Sequence, residues 1–258
     1  MLPHREVHIW FTPQPLVASE ALLACVPVAE QQQAQQMQST RRRTEWLAGR
    51  ALMRQCLAYY TGLAPLELVL GKTTDGKPVL LWPDKAVFSA WDFNLSHGPR
   101  WIGCAVAQAS HVGLDIDCQS RRNDTDAIAA RYFHTDEQTM LASINNPDAR
   151  RVHFFRHWTL KEAYIKSIGQ TINSVRLHDI AFAAESDKPP QARFTLPSGD
   201  WQFMQQTFDG DHQLALACCW PNCDTETVAK PAGTLRSRFW LWQPGTSLTS
   251  IDDIHYDI

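Results

Sequence analysis

Apolar residues in this chain repeat with two alternating periods. Val7, Ile9 and Phe11 alternate with His8 and Trp10, the two-residue period of a strand. The Gln-rich stretch from about Ser19 to Gln38 predicts a helical region with a solvated face. From Thr40 onward Trp46, Met53, Leu57 and Tyr60 recur at helical spacing, with Arg43, Arg50 and Arg54 as a second stripe beside them. Strands are expected at Leu66–Leu70, at Lys77–Leu81 after an Asp75-Gly76 turn, at Phe93–His97, and at Trp101–Ala107 after Gly98-Pro99. Val112, Leu114 and Ile116 then alternate with Gly113, Asp115 and Asp117, so strand geometry sets both carboxylates on one face.

The rhythm then repeats. Asn123 is placed to cap a helix carrying Ile128, Tyr132 and Phe133, and Thr135-Asp136-Glu137-Gln138 has the form of a capping box. A long helix is expected from Asn146-Pro147-Asp148 to Gly169, since Asn suits the N-cap, Pro the first turn and Gly the position after the end. Strands are expected around Ser174–Ala183, Arg193–Leu196, Trp201–Phe208 and Gln213–Trp220. The order predicts an α+β fold of two similar halves, 1–109 and 110–224. Beyond these lies a C-terminal appendage, 225–258, whose Phe239-Trp-Leu-Trp242 should pack on the body.

Composition narrows the function. The 258 residues carry a formal net charge of −3 with 44% hydrophobic and 20% charged residues, an ordinary globular balance that argues against a general nucleic-acid binder. No apolar run approaches the roughly 20 residues of a membrane span, and the start lacks the apolar core of a signal peptide. Seven scattered cysteines fit reduced thiols, so a cytoplasmic location is the expectation. His212, Cys219 and Cys223 form a weak zinc candidate inside an otherwise strand-like run.

Three groups carry chemistry. Asp115 and Asp117 repel each other unless a cation lies between them. Glu162 and Lys166, one turn apart, sit at the edge of the apolar arc formed by Phe154, Phe155, Trp158 and Ile165. The arginine stripe is either a set of solvated side chains or the wall of a phosphate site.

Four ordered stretches, Gly76-Lys-Pro78, Phe93-Asn-Leu-Ser-His97 with Arg100-Trp101, Val112-Gly-Leu-Asp-Ile-Asp117 and Trp158-Thr-Leu-Lys-Glu-Ala-Tyr-Ile-Lys166, resemble the motifs of the 4′-phosphopantetheinyl transferases, in the larger, Sfp-type group. The resemblance runs from about Arg43 to Gly169, and more loosely to Trp220, and it implies a monomer of two similar α+β halves with the active site in the cleft between them. It implies transfer of the phosphopantetheine arm of coenzyme A to a serine of an acyl or peptidyl carrier protein, releasing 3′,5′-ADP. It implies Mg²⁺ on Asp115, Asp117 and Glu162, and Glu162, or a water it orients, as the base for the serine proton. It also implies Lys161, Lys166 and His97 on phosphates, with Lys77, Ser96, Arg43, Arg50 and Arg54 toward the nucleotide. Relatives that hold the 3′-phosphate with lysines in the first helical region differ from this chain, which has none from Ser19 to Gln38 and offers Arg41 to Arg43 instead. Arg121 and Arg122, just past the metal strand, are the expected docking surface for the carrier. Two other readings remain at this level: a metal-dependent Asp-x-Asp glycosyltransferase, and a non-catalytic carrier-binding module.

Overall fold

The computed structural model describes residues 5–81, 91–109, 111–183, 190–220, 235–246 and 248–251. The first half runs β1 (Glu6–Pro13), α1 (Glu20–Leu23), α2 (Val28–Gln35), α3 (Thr40–Thr61), β2 (Val69–Lys72), β3 (Pro78–Leu81), β4 (Asp92–His97) and β5 (Trp101–Ala107). The second repeats that order. It runs β6 (His111–Cys118), α4 (Thr125–Tyr132), α5 (Thr135–Ser143), α6 (Pro147–Ser167), a 3-10 turn at Leu177–Asp179, β7 (Phe182–Ala183), β8 (Gln191–Ala192), β9 (Asp200–Phe208) and β10 (His212–Trp220). Then β11 (Arg236–Leu241) and β12 (Thr249–Ile251) close the chain.

In each half a long helix covers an antiparallel sheet, β1-β5-β4 under α3 and β6-β10-β9 under α6. Strand alternation sorts the core into layers. Trp10, Phe93, Cys104 and Val106 meet Leu52, Met53 and Leu57 of α3. Val7, Ile9, Phe11 and Ala105 turn the other way, onto Leu114, Ile116, Leu214 and Leu216 of the second sheet. Ala215 and Ala217 face Leu160, Ala163 and Tyr164 of α6.

The seam between the sheets uses side chains. Asp92, Asn94 and Ser96, alternate residues of β4, accept the backbone N–H groups of Val112, Leu114 and Ile116 of β6 at 2.5, 3.0 and 3.0 Å. Three polar side chains thus replace a backbone ladder and satisfy donors that would otherwise be buried unpaired.

Several expectations shift. The Gln-rich region is two short helices, because Pro27 cannot donate within a continuous helix. The cap of α4 is Asp124, not Asn123, and the capping box of α5 pairs His134 with Glu137, one residue earlier than read. Within Ser174–Ala183 there is a 3-10 turn at Leu177–Asp179 and strand only at Phe182–Ala183, and Arg193–Leu196 forms no strand. The C-terminal segment is no appendage, since β11 pairs in parallel with β1 from Glu6↔Arg236 to Phe11↔Leu241 and completes the first sheet. Its Phe239 and Trp242 are buried, as their apolar character predicted.

Candidate active site

Strand β6 presents Gly113, Asp115 and Asp117 to α6. Glycine is needed there, because a Cβ at position 113 would overlap the carbonyl oxygen of Ala163. The close approach lays Glu162 and Lys166 over the two aspartates, a positioning role that the reading of the motif had not given to Gly113. Asp115 and Asp117 are buried. Lys166 Nζ reaches Asp115 Oδ1 at 2.5 Å and Ser96 Oγ at 3.3 Å, and Ser96 Oγ donates to Asp115 Oδ1 at 3.0 Å. Arg121 bridges to Asp117 at 3.2 Å.

Glu162 is half-buried and has no hydrogen-bond partner among the described residues. Burial, with Asp115 and Asp117 beside it, pushes its carboxyl up to about 7 against the pull of Lys166. Burial and Asp115 likewise raise Asp117. Burial alone would lower the Lys166 ammonium, but Asp115 and Glu162 outweigh it and raise it. Three carboxylates thus face one ammonium and one guanidinium, and oxygen-only donors of this kind fit a hard divalent cation. The three carboxylates do not form a tight cage. Among the described residues the group of ligand atoms lying within 4.8 Å of one another is Cys118, Asp211 and His212. Open spacing suits Mg²⁺, which retains several of its waters.

His97 ends β4 beside this cluster. Its Nε2 is buried without a partner, and a Cβ on Gly49 of α3 would come within 2.6 Å of it, so Gly49 leaves room for the imidazole. Burial and then Lys166 lower its pKa to about 4, leaving the ring neutral near pH 7. His97 lines a cleft of about 810 Å³ with Arg41, Arg42, Trp46, Ser120 and Arg121. A second cleft of about 660 Å³ has Ile128, Tyr132 and Trp158 lining it and Arg121, Arg122 and Arg131 among its polar groups.

The other expected phosphate ligands lie elsewhere. Lys161 is fully buried, paired with Glu137 at 2.8 Å and donating to the carbonyls of Leu177 and Ile180. Lys77 is spent on Asp92 at 2.5 Å and on the carbonyls of Val112 and Ser167. Arg50 and Arg54 both close on Glu30, and Arg54 also reaches the carbonyls of Pro65 and Leu68. Arg43 donates to Met37 O at 2.9 Å and retains a buried, unpaired Nε. Each is amphipathic and adjoins an apolar face, so sequence spacing could not separate a ligand from an internal brace. Arg41 and Arg42 line the cleft instead. The zinc candidate also dissolves, because His212 and Cys219 lie at opposite ends of β10. Cys223 falls outside the described residues.

Comparison with known proteins agrees with this arrangement. The 4′-phosphopantetheinyl transferase superfamily profile matches residues 111–219, and a 4′-phosphopantetheinyl transferase N-terminal profile matches residues 12–109. The 4′-phosphopantetheinyl transferase HetI of Nostoc sp. is 30% identical over 82% of this chain and 87% of its own. A 4′-phosphopantetheinyl transferase of Bacillus subtilis is 29% identical over 80% and 88%. A crystal structure of a holo-(acyl-carrier-protein) synthase from Bacillus anthracis in complex with CoA (3′,5′-ADP) overlays 45% of this chain and 100% of that one, with 17% identity and a TM-score of 0.39. The chain belongs to the 4′-phosphopantetheinyl transferase superfamily. It is an enzyme of that family, and the glycosyltransferase reading is set aside.

Proposed function

We propose that this chain transfers the 4′-phosphopantetheine arm of coenzyme A to a serine of an acyl or peptidyl carrier protein, converting it from apo to holo. The observation that carries the reading is the position of Glu162, beside two buried aspartates and one turn from Lys166, which bonds Asp115. A carboxylate in that place suits general-base work, directly or through a water it orients. The serine oxygen bonds to the β-phosphorus of coenzyme A, its proton passes to Glu162, and the bond to the bridging oxygen breaks to release 3′,5′-ADP. Lys166 balances charge on the pyrophosphate, and neutral His97 donates a hydrogen bond to a phosphate oxygen. Asp115, Asp117 and Glu162 are the residues that would hold Mg²⁺, whose chemistry is neutralisation of the pyrophosphate. Arg41 and Arg42 line the cleft on the nucleotide side.

The carrier docks on the cleft next to Asp117, where Arg121, Arg122 and Arg131 adjoin Ile128, Tyr132 and Trp158. A partner with acidic and apolar groups near its serine complements that surface. Mass spectrometry of candidate apo-carrier proteins incubated with coenzyme A, Mg²⁺ and this protein tests the proposal. The expected product carries one phosphopantetheine on serine; no adduct on any carrier would refute it.

A further inference from the structure

One cluster of metal-ligating side chains stands apart from the carboxylates. Cys118 and His212 face each other across the β6–β10 pairing, and Asp211 precedes His212 in the turn. Cys118 Sγ lies 2.9 Å from Asp211 Oδ2 and 2.8 Å from Ser120 Oγ. His212 Nδ1 lies 3.1 Å from Asp211 Oδ1. The thiol, one carboxylate oxygen and one imidazole nitrogen all lie within 4.8 Å of one another, close enough for a single ion to draw them together.

A second observation concerns the imidazole. His212 is wholly buried, and Arg100 Nη2 lies 3.0 Å from its Nδ1. A guanidinium only donates, so this contact engages the Nδ1 lone pair, and the buried Nε2 has no partner among the described residues. Arg100 also bonds Asp211 at 2.5 Å and Asp209 at 3.0 Å, so a cation already occupies the place a metal would take. Arg100 is about half exposed, at 49%. Asp211, 30% exposed, opens the route in.

We propose that Cys118, Asp211 and His212 form a site for a zinc-class divalent cation, distinct from the oxygen-only set at Asp115, Asp117 and Glu162. One thiolate, one imidazole and one carboxylate select a borderline-soft ion over Mg²⁺. On binding, the Cys118 thiol releases its proton to solvent, Arg100 leaves His212 Nδ1, and a water completes the tetrahedron. Because Cys118 directly follows Asp117, occupancy bears on the end of the catalytic strand. The site is independent of the transfer reaction, and its test reads absorption rather than activity.

The full-length protein is titrated with Co²⁺, alone and then against Zn²⁺. The expected result is a near-ultraviolet thiolate-to-cobalt charge-transfer band that Zn²⁺ abolishes. Cys118→Ser, checked as folded by circular dichroism, should lose the band and weaken affinity at least about tenfold. Cys25→Ser and Asp115→Asn should keep the band, since neither belongs to the cluster. Arg100→Ala should tighten binding by removing the competing cation. No band in the wild type, a band that survives Cys118→Ser, loss of the band in Cys25→Ser or Asp115→Asn, or weaker binding in Arg100→Ala would each overturn the proposal.

Discussion

The two halves contain the same internal brace. In the first, Glu30 of α2 pairs with Arg54 of α3, which also donates to the carbonyls of Pro65 and Leu68. In the second, Glu137 of α5 pairs with Lys161 of α6, which also donates to the carbonyls of Leu177 and Ile180. The offsets are equal, 137 − 30 and 161 − 54, both 107. The residue after the brace differs: Gln55 in the first half, Glu162 in the second. The shared position therefore builds the fold, and its neighbour separates the half without the proposed base from the half that carries it. The braces are closed, with each cation matched to a carboxylate and two carbonyls. The carboxylates around Glu162 are not matched, and such an imbalance is what the proposed reaction calls for.

The sharpest test makes the second half resemble the first. Glu162→Gln should lower transfer at least about 100-fold while the fold persists, and Asp115→Asn should do likewise. Near wild-type turnover at limiting Mg²⁺ in either variant would remove the distinction between the halves. The next test addresses the braces. Lys161→Met leaves the buried Glu137 without a cation and should cost about 3–5 kcal/mol of stability in denaturant melts, whereas Arg54→Met should cost less, because Arg50 still pairs with Glu30. Coenzyme A affinity, read by calorimetry on the folded protein, should stay unchanged in both. A selective loss of that affinity in Lys161→Met would place Lys161 back among the phosphate ligands.

Lys166→Ala should weaken coenzyme A binding about 10- to 100-fold, as expected for loss of a charge-assisted bond. The neutral imidazole gives a pH signature. His97 titrates at about 4 in the fold against about 6.5 in the unfolded chain, so the unfolded state binds more protons between those values. Its contribution to stability is intact above pH 6.5 and is lost as pH falls toward 4. On the order of 2 kcal/mol should disappear between pH 7 and pH 5, and His97→Asn should flatten that slope. An unchanged slope would show that His97 is not held neutral. The smallest effect belongs to the exposed rim. Reversing Arg121 and Arg122 to Glu should raise the carrier KM several-fold, leave the coenzyme A KM nearly unchanged, and fade at high salt. Equal effects on both substrates would move the docking face elsewhere.

Much of this was legible in the chain. Alternation at Val112–Asp117 assigned Asp115 and Asp117 to one face, and both are buried beneath α6. Asn146, Pro147 and Gly169 bounded that helix, and Gly169 takes the left-handed φ of +71° that favours glycine. The roles of Lys161 and Lys166 were not legible. Both are lysines on one helix, and only the arrival of Glu137 and of the Leu177 and Ile180 carbonyls decides that the first is internal. Arg50 and Arg54 escaped for the same reason, since Glu30 lies on a different helix. The parallel pairing of β11 with β1 was equally hidden, because partners some 230 residues apart (236 − 6) leave no local period.

That last pairing has a consequence for handling the protein. Strand β1 is buried along nearly its whole length, with β5 on one side and β11 on the other. A chain truncated after Trp220 would retain every residue assigned to catalysis, yet it would expose one flank of Glu6–Pro13 as a bare apolar edge. Such an edge is a template for strand addition by another molecule. The truncated protein should therefore precipitate or form higher assemblies at concentrations where the full chain stays dispersed. The C-terminal strand thus acts as a guard against aggregation, with a value measured in solubility rather than in turnover.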